Sequence, residues 1–187
     1  MKNIAVFASG NGSNAHQIIR YFAGDSKVVI RLVVTNNEKA GIINKCKQES
    51  VPCFVFPKDS FVDSDGLITF LIENNIDYIV LAGFLLQIPQ ALIKEFPKKI
   101  INIHPALLPK FGGKGMYGMY VHKAVMETGE KETGISIHYV NEEYDKGEII
   151  LQKKCAITIE DTIESIGLKV QALEHEYYPV TLKNIIK

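Results

Sequence analysis

Neither sign of charge is in surplus in this sequence: 21 lysines and arginines stand against 21 aspartates and glutamates, a formal net charge of zero at neutral pH. No global charge draws the chain to nucleic acid, to a membrane or to a polyanionic partner, although a few backbone N–H groups suffice for a local anion site. Long apolar runs are absent as well. Nowhere do the roughly 18 consecutive apolar residues needed to cross a bilayer occur. The opening apolar run at 4–8 is too short for a signal-peptide core and leads to no cleavage pattern. Cysteine is scarce: Cys46, Cys53 and Cys155 are odd in number, scattered and without CxxC spacing. That pattern argues against a metal knuckle and fits incidental thiols in a reducing cytosol, so a cytoplasmic protein is expected. Repeats, linkers and low-complexity segments are lacking too.

What is present is an ordinary globular composition, 47% hydrophobic and 22% charged over 187 residues, enough for one domain with a substantial core. Short runs rich in Val, Ile and Phe predict strands at 4–8, 28–34, 53–56, 78–81 and 99–103. They lack strict polar alternation, as suits strands covered on both faces of a parallel sheet. Helical patterns fall between them, at 14–23, 40–49, 65–74 and 90–95. This β-α-β-α order predicts an α/β fold, an open, doubly wound, mostly parallel, Rossmann-like sheet. After residue 105 the texture changes, because Pro105 to Pro109 and the glycine-rich run 111–118 break regular structure. A helix is expected at 119–127, additional strands at 134–140 and 148–156, and a long C-terminal helix after them. That helix opens with Asp161-x-x-Glu164, a capping-box variant, and lays Ile163, Ile166, Val170, Leu173 and Tyr177 along one face. The single domain 1–187 thus divides into a nucleotide-binding-like βα half, 1–105, and a second half, 106–187.

In open α/β sheets ligands bind beyond the carboxyl ends of the strands. Three segments stand at such ends: 9–14, 83–88 and 102–104. The first, Ser9-Gly-Asn-Gly-Ser-Asn14, is a glycine turn between a strand and a helix. Gly10 and Gly12 permit close backbone approach, and Ser13 and Asn14 add side-chain donors. Three readings are open: a seat for a monophosphate, a bare tight turn, or a dinucleotide fingerprint. The last lacks the acidic residue that would hold a ribose, since the second strand ends Val33-Val34-Thr35-Asn36-Asn37. A Walker lysine is missing too. In Asn102-Ile-His104-Pro105 the alternation of a strand points Asn102 and His104 the same way. An amide and an imidazole side by side can donate to one oxygen and steady the charge that builds when a carbonyl is attacked. Histidine also moves protons near neutral pH. Asp145, in Tyr144-Asp-Lys-Gly147, reads by itself as a turn residue. A carboxylate close to His104 would raise the imidazole pKa and favour its protonated form. His138 is a second candidate partner, and no GxSxG elbow or compact zinc spacing accompanies these residues.

Together Ser9 to Asn14, Leu81-Ala-Gly-Phe84, Asn102-Ile-His-Pro-Ala-Leu-Leu-Pro109 and the stretch from Thr133-Gly134 through Asp145 to Ile150 resemble the phosphoribosylglycinamide formyltransferase family. The resemblance runs from residue 1 to about 180. It implies a 10-formyltetrahydrofolate-dependent enzyme of purine synthesis that works on small-molecule substrates, without metal, nucleic acid or membrane, as a monomer or homodimer. Gly12, Ser13 and Asn14 would bind the ribotide phosphate, with Glu174 facing the ribotide. Asn102, His104 and Asp145 would be the catalytic trio. Leu85, Leu86, Gln87 and Ile88 would wall the pterin site, with Asn102 beside it. Departures fall at the folate tail. Leu86-Gln87 stands where the family often has Arg-Ile, 59–65 has no arginine (Lys58 being the nearest substitute), and the loop 112–118 leading to Val121-His122-Lys123 differs from a commoner, shorter one. Two rival readings, one near in function and one of a different class, would use parts of these motifs. A formyltetrahydrofolate hydrolase would spend the trio on water, and a non-catalytic nucleotide-binding module would need only the glycine turn.

Overall fold

The computed structural model describes residues 1–186. The elements run β1 (Lys2–Phe7), α1 (Ser13–Tyr21), β2 (Val28–Thr35), α2 (Ile42–Gln48), β3 (Cys53–Val55), a 3-10 turn (Lys58–Phe61), α3 (Asp65–Glu73), β4 (Tyr78–Leu81), α4 (Gln90–Glu95), β5 (Ile100–His104), α5 (Met119–Glu127), β6 (Glu132–Tyr139), β7 (Ile149–Ala156) and α6 (Ile163–Ile185). The strands are ordered β3-β2-β1-β4-β5-β6-β7 in a mixed, mostly parallel, Rossmann-like sheet. Chain contacts divide the molecule into two compact units, one of residues 1–101 and the chain from Pro179 on, the other Asn102–Tyr178.

In the first unit β1 pairs in parallel with β2 and β4, and β2 with β3. Ile4, Ala5, Val6 and Phe7 are all fully buried, which is why this strand shows no polar alternation: both of its faces are covered. The strand order reverses between β1 and β4, and the turn 9–14 and the loop 83–88 follow these two strands. Such a switch point is where open α/β sheets take their ligands.

In the second unit β6 and β7 form an antiparallel pair. Ile135 and Ile137 are buried on β6, while β7 keeps Lys153 and Lys154 at a half-exposed edge, which discourages pairing with a foreign strand. Ala106, Val121 and Val125 make a small apolar cluster, with Phe111, Met116 and Ile157 packed on it. The start of α6 differs from the capping box expected at Asp161 and Glu164. Thr162 and Ser165 cap each other instead, Ser165 N–H to Thr162 Oγ1 at 3.2 Å and Thr162 N–H to Ser165 Oγ at 2.9 Å. Asp161 is already committed: its carboxylate accepts from Thr158, Ser165 and Lys169. Farther along, Tyr178 rather than Tyr177 is buried, in line with Ile166 and Val170 at four-residue steps, and Tyr177 receives Lys153 over its ring at 4.7 Å.

Candidate active site

In the first unit, Gly12 caps α1 in the left-handed region, φ 70° and ψ 36°, and a β-carbon there would drive into Ile42 of α2. Glycine is required at this position on both counts. Gly10, expected to share the role, has no positive φ and open space around it. The turn is gripped from α2. Ile42 N–H donates to the Gly10 carbonyl (3.3 Å), and Lys45 Nζ donates to the Asn11 carbonyl (2.7 Å) and to its Oδ1 (3.1 Å). In a trans peptide N–H lies opposite C=O, so turning these carbonyls toward α2 turns the Asn11 and Gly12 N–H groups away from it. Ser13 and Asn14 are the first residues of α1, whose first turn has no acidic residue to offset its positive end. Ser9 ties the loop after β4 to this turn. Its hydroxyl donates to Asn36 Oδ1 (2.6 Å) and accepts the Leu85 N–H (2.9 Å), while its own N–H donates to the Gly83 carbonyl (3.1 Å). Of the four residues expected at the pterin, Leu85 and Gln87 are exposed, Leu86 is half-buried and Ile88 is buried.

In the second unit, Asn102 and His104 emerge on one face of β5, and Asp145 reaches them from the turn between β6 and β7 at φ 55°. His104 Nδ1 lies 3.5 Å from Asp145 Oδ2, and Asn102 Nδ2 lies 3.4 Å from Asp145 Oδ1. His138 joins them. A register shift between Ile137 and His138 in the β6–β7 pair re-aims this side chain, a use to which bulges near functional sites are often put. Its Nε2 is 3.1 Å from Asn102 Nδ2 and 3.6 Å from Asp145 Oδ1.

Carbonyl oxygens only accept, and this fixes the neutral tautomers. His104 Nε2 is 2.7 Å from the Phe111 carbonyl, so Nε2 carries the proton. His138 Nδ1 is 2.9 Å from the Tyr139 carbonyl, so that nitrogen carries its proton and Nε2 is left to accept from Asn102. Glycine at 147 is what allows this turn, since a β-carbon there would meet the Tyr139 carbonyl. Asp145 Oδ2 also accepts the Gly113 N–H at 2.9 Å.

Burial pushes the His104 pKa below the usual histidine value; the Asp145 charge and the Phe111 carbonyl pull it back only in part, and His138 adds to the fall. The expected protonated His104 is thus replaced by a neutral one, because a nearly buried ring loses more hydration than one carboxylate returns. Burial pushes Asp145 upward, yet His138, His104 once it is protonated, and the Gly113 N–H together hold its carboxyl below the usual range. Glu174 lies on α6 four residues before Tyr178; burial first, and then the Glu174 charge, keep that phenol protonated. Among the described residues no cluster of three or more His, Cys, Asp or Glu is placed to hold a metal ion. The contacts from Phe111 and Gly113 were not legible in the sequence, because they are made by backbone groups that every residue type carries.

Residues 2–182 match the formyl transferase family. The chain is 43% identical over 183 residues to the chloroplastic phosphoribosylglycinamide formyltransferase of Arabidopsis thaliana, covering 95% of this chain and 63% of that protein. It covers 58% of a Vigna unguiculata counterpart at 38% identity. The phosphoribosylglycinamide formyltransferase of Bacillus subtilis is 35% identical over 191 residues, covering 100% of this chain and 95% of the relative. Among solved structures, glycinamide ribonucleotide transformylase 1 of Geobacillus kaustophilus superposes with a TM-score of 0.91 at 33% identity over the full length of both chains.

Proposed function

We propose, from the premise that this chain belongs to the formyl transferase family, that it carries the formyl group of 10-formyltetrahydrofolate to the amine of N1-(5-phosphoribosyl)glycinamide in purine synthesis. The acceptor and the transferred group are those in its relatives' names; the folate carrier comes with the Asn102–Pro109 motif. One observation carries the reading: Asn102, His104 and Asp145, 43 residues apart at their extremes, gather in a chain matched from residue 2 to 182.

The amine attacks the formyl carbon, forming a C–N bond and an oxyanion. Neutral His104 gives its Nε2–H to that oxygen in exchange for the Phe111 carbonyl, and Asn102 adds an amide N–H. Asp145, ionised, takes the proton that the amine loses and returns it toward folate N10 as the bond from N10 to the formyl carbon breaks. Gly12, Ser13 and Asn14 bind the ribotide phosphate, a role supported by the outward-turned N–H groups of the glycine turn and the positive end of α1. Glu174 faces the ribotide, and Leu85, Leu86, Gln87 and Ile88 with Asn102 hold the pterin. The proposed setting is the cytoplasm, with the protein a monomer or homodimer. Among the described residues no helix is long and apolar enough to cross a membrane.

An absorbance assay of 10-formyltetrahydrofolate with and without glycinamide ribonucleotide tests this. Loss of formyl folate that depends on the acceptor is expected. Equal loss without acceptor would replace transfer by hydrolysis, and no loss in either case would leave only a binding module.

A further inference from the structure

The two backbone groups that hold His104 and Asp145 come from a single segment, residues 111–113. Four features make this segment special. Phe111 is a non-glycine residue at φ 57°, a conformation that side chains rarely adopt and that marks positions held by their surroundings. Its ring packs on the Ala106, Val121 and Val125 cluster, which anchors the carbonyl pointing at His104. At Gly112 a β-carbon would stand 2.5 Å from Leu108 Cδ2 and 3.1 Å from Asp145 Cβ, so any larger residue would displace the Leu108 side chain and press on the carboxylate's stem. Gly113 has φ 101° with open space around it, so glycine there serves the backbone angle alone.

We propose that residues 111–113 are a positioning strap: the Phe111 carbonyl fixes the His104 proton on Nε2, and the Gly113 N–H holds the Asp145 carboxylate beside it. One segment thereby presets the donor and the proton acceptor of formyl transfer, an assignment that rests on the function proposed above. The other groups around Asp145 are His104 and Asn102 from β5, His138 from β6 and the neighbouring Tyr144. Those bearing on His104 are Asp145, His138 and His122 of α5. Remove the Gly113 N–H and the upward push of burial on Asp145 meets less opposition, so the acid should titrate higher.

The test uses two variants of the full chain. Glycolic acid in place of Gly113 exchanges the N–H for an ester oxygen without adding a side chain; Gly113→Ala keeps the N–H and strains the backbone that aims it. NMR with labelled carboxyl carbons and imidazole nitrogens follows Asp145 and His104, and steady-state kinetics runs alongside. Wild-type His104 should show its proton on Nε2. In the glycolate variant the Asp145 midpoint should rise by about half a pH unit or more. Its kcat should fall by about tenfold or more, with the KM for the ribotide changed less than about twofold. Gly113→Ala should move both in the same direction. An unmoved Asp145 midpoint in the glycolate variant, or wild-type His104 protonated on Nδ1, overturns the strap. Wild-type protein without transferase activity overturns the proposed function instead, while the titrations still decide the strap.

Discussion

His104 gives its Nε2–H to the Phe111 carbonyl at 2.7 Å, keeps its unprotonated Nδ1 3.5 Å from Asp145, and is 4% exposed. Its lowered pKa favours the neutral ring, so the unfolded chain binds the proton more readily than the folded one. Falling pH therefore erodes stability from near the usual histidine value of about 6.5 down to the lowered folded value, and the active neutral form is lost only as pH falls through that lowered value. Asp145 has the opposite chemistry: its depressed carboxyl stays ionised through that window, and its contribution is lost only at lower pH. The acid limb of kcat/KM should accordingly follow His104 and lie below the usual histidine range; a limb above that range would sink this assignment of protonation states. Truncating the ring in His104→Ala should lower kcat by about 10²–10³-fold, as for loss of one oxyanion donor, and leave ribotide binding within a few-fold. Near-normal turnover in that variant would remove His104 from the catalytic group. Asn102 and His104 were legible because alternation along a strand puts them on one face. Asp145 was not, since an aspartate before Lys-Gly reads as a turn until a distant strand end is known to face it.

The first-unit elements follow from their apolar runs, with boundaries shifted by one or two residues where caps and register decide. β1 begins at Lys2 because it continues the parallel ladder with Val28, which no side-chain pattern announces. The cap of α6 slipped for a related reason: Asp161 serves four donors from three residues at once, so the neighbouring Thr162 takes the reciprocal pairing. The glycine turn before α1 offers the sharper test of element-level reasoning, since its two glycines look alike in sequence and differ in structure. Gly12→Ala must relieve both a left-handed φ and a collision with Ile42. It should cost about 1–3 kcal/mol of stability and raise the KM for the ribotide more than it lowers kcat. Gly10→Ala meets nothing within 4 Å and should stay within about 0.5 kcal/mol of wild type in a urea titration. Equal effects at the two positions would show that the turn does not adopt the Gly12-centred geometry.

At the scale of the whole chain, α6 runs on from the second unit until the residues from Pro179 return to the first. Nothing in the apolar spacing of this helix announces the return, because the line of buried residues passes through Tyr178 and Leu182 without interruption. What fastens the returning segment is apolar burial together with one ion pair. Leu182 and Ile186 are 0% and 5% exposed, and Lys183 Nζ reaches Asp25 Oδ2 at 2.8 Å and the Tyr21 ring at 5.8 Å. Burying two such side chains is worth about 3–6 kcal/mol, a large part of the roughly 5–15 kcal/mol that holds a domain of ordinary stability together. A chain ending at Tyr178 is therefore expected to lose its cooperative thermal transition, or to melt far lower, when followed by circular dichroism. The ion pair acts in a different pH window. The Lys183 hydrogen bond, with help from the Lys27 and Val28 N–H groups, lowers the Asp25 pKa from 3.8 to about 2. Its contribution is complete above the usual aspartate value and is lost as pH falls through the lowered one. Lys183→Met should move the Asp25 midpoint up toward 3.8 and leave the melting temperature at neutral pH much closer to wild type than the truncation does. If the point variant unfolds the protein as readily as the truncation, the ion pair rather than the apolar contacts secures the returning helix.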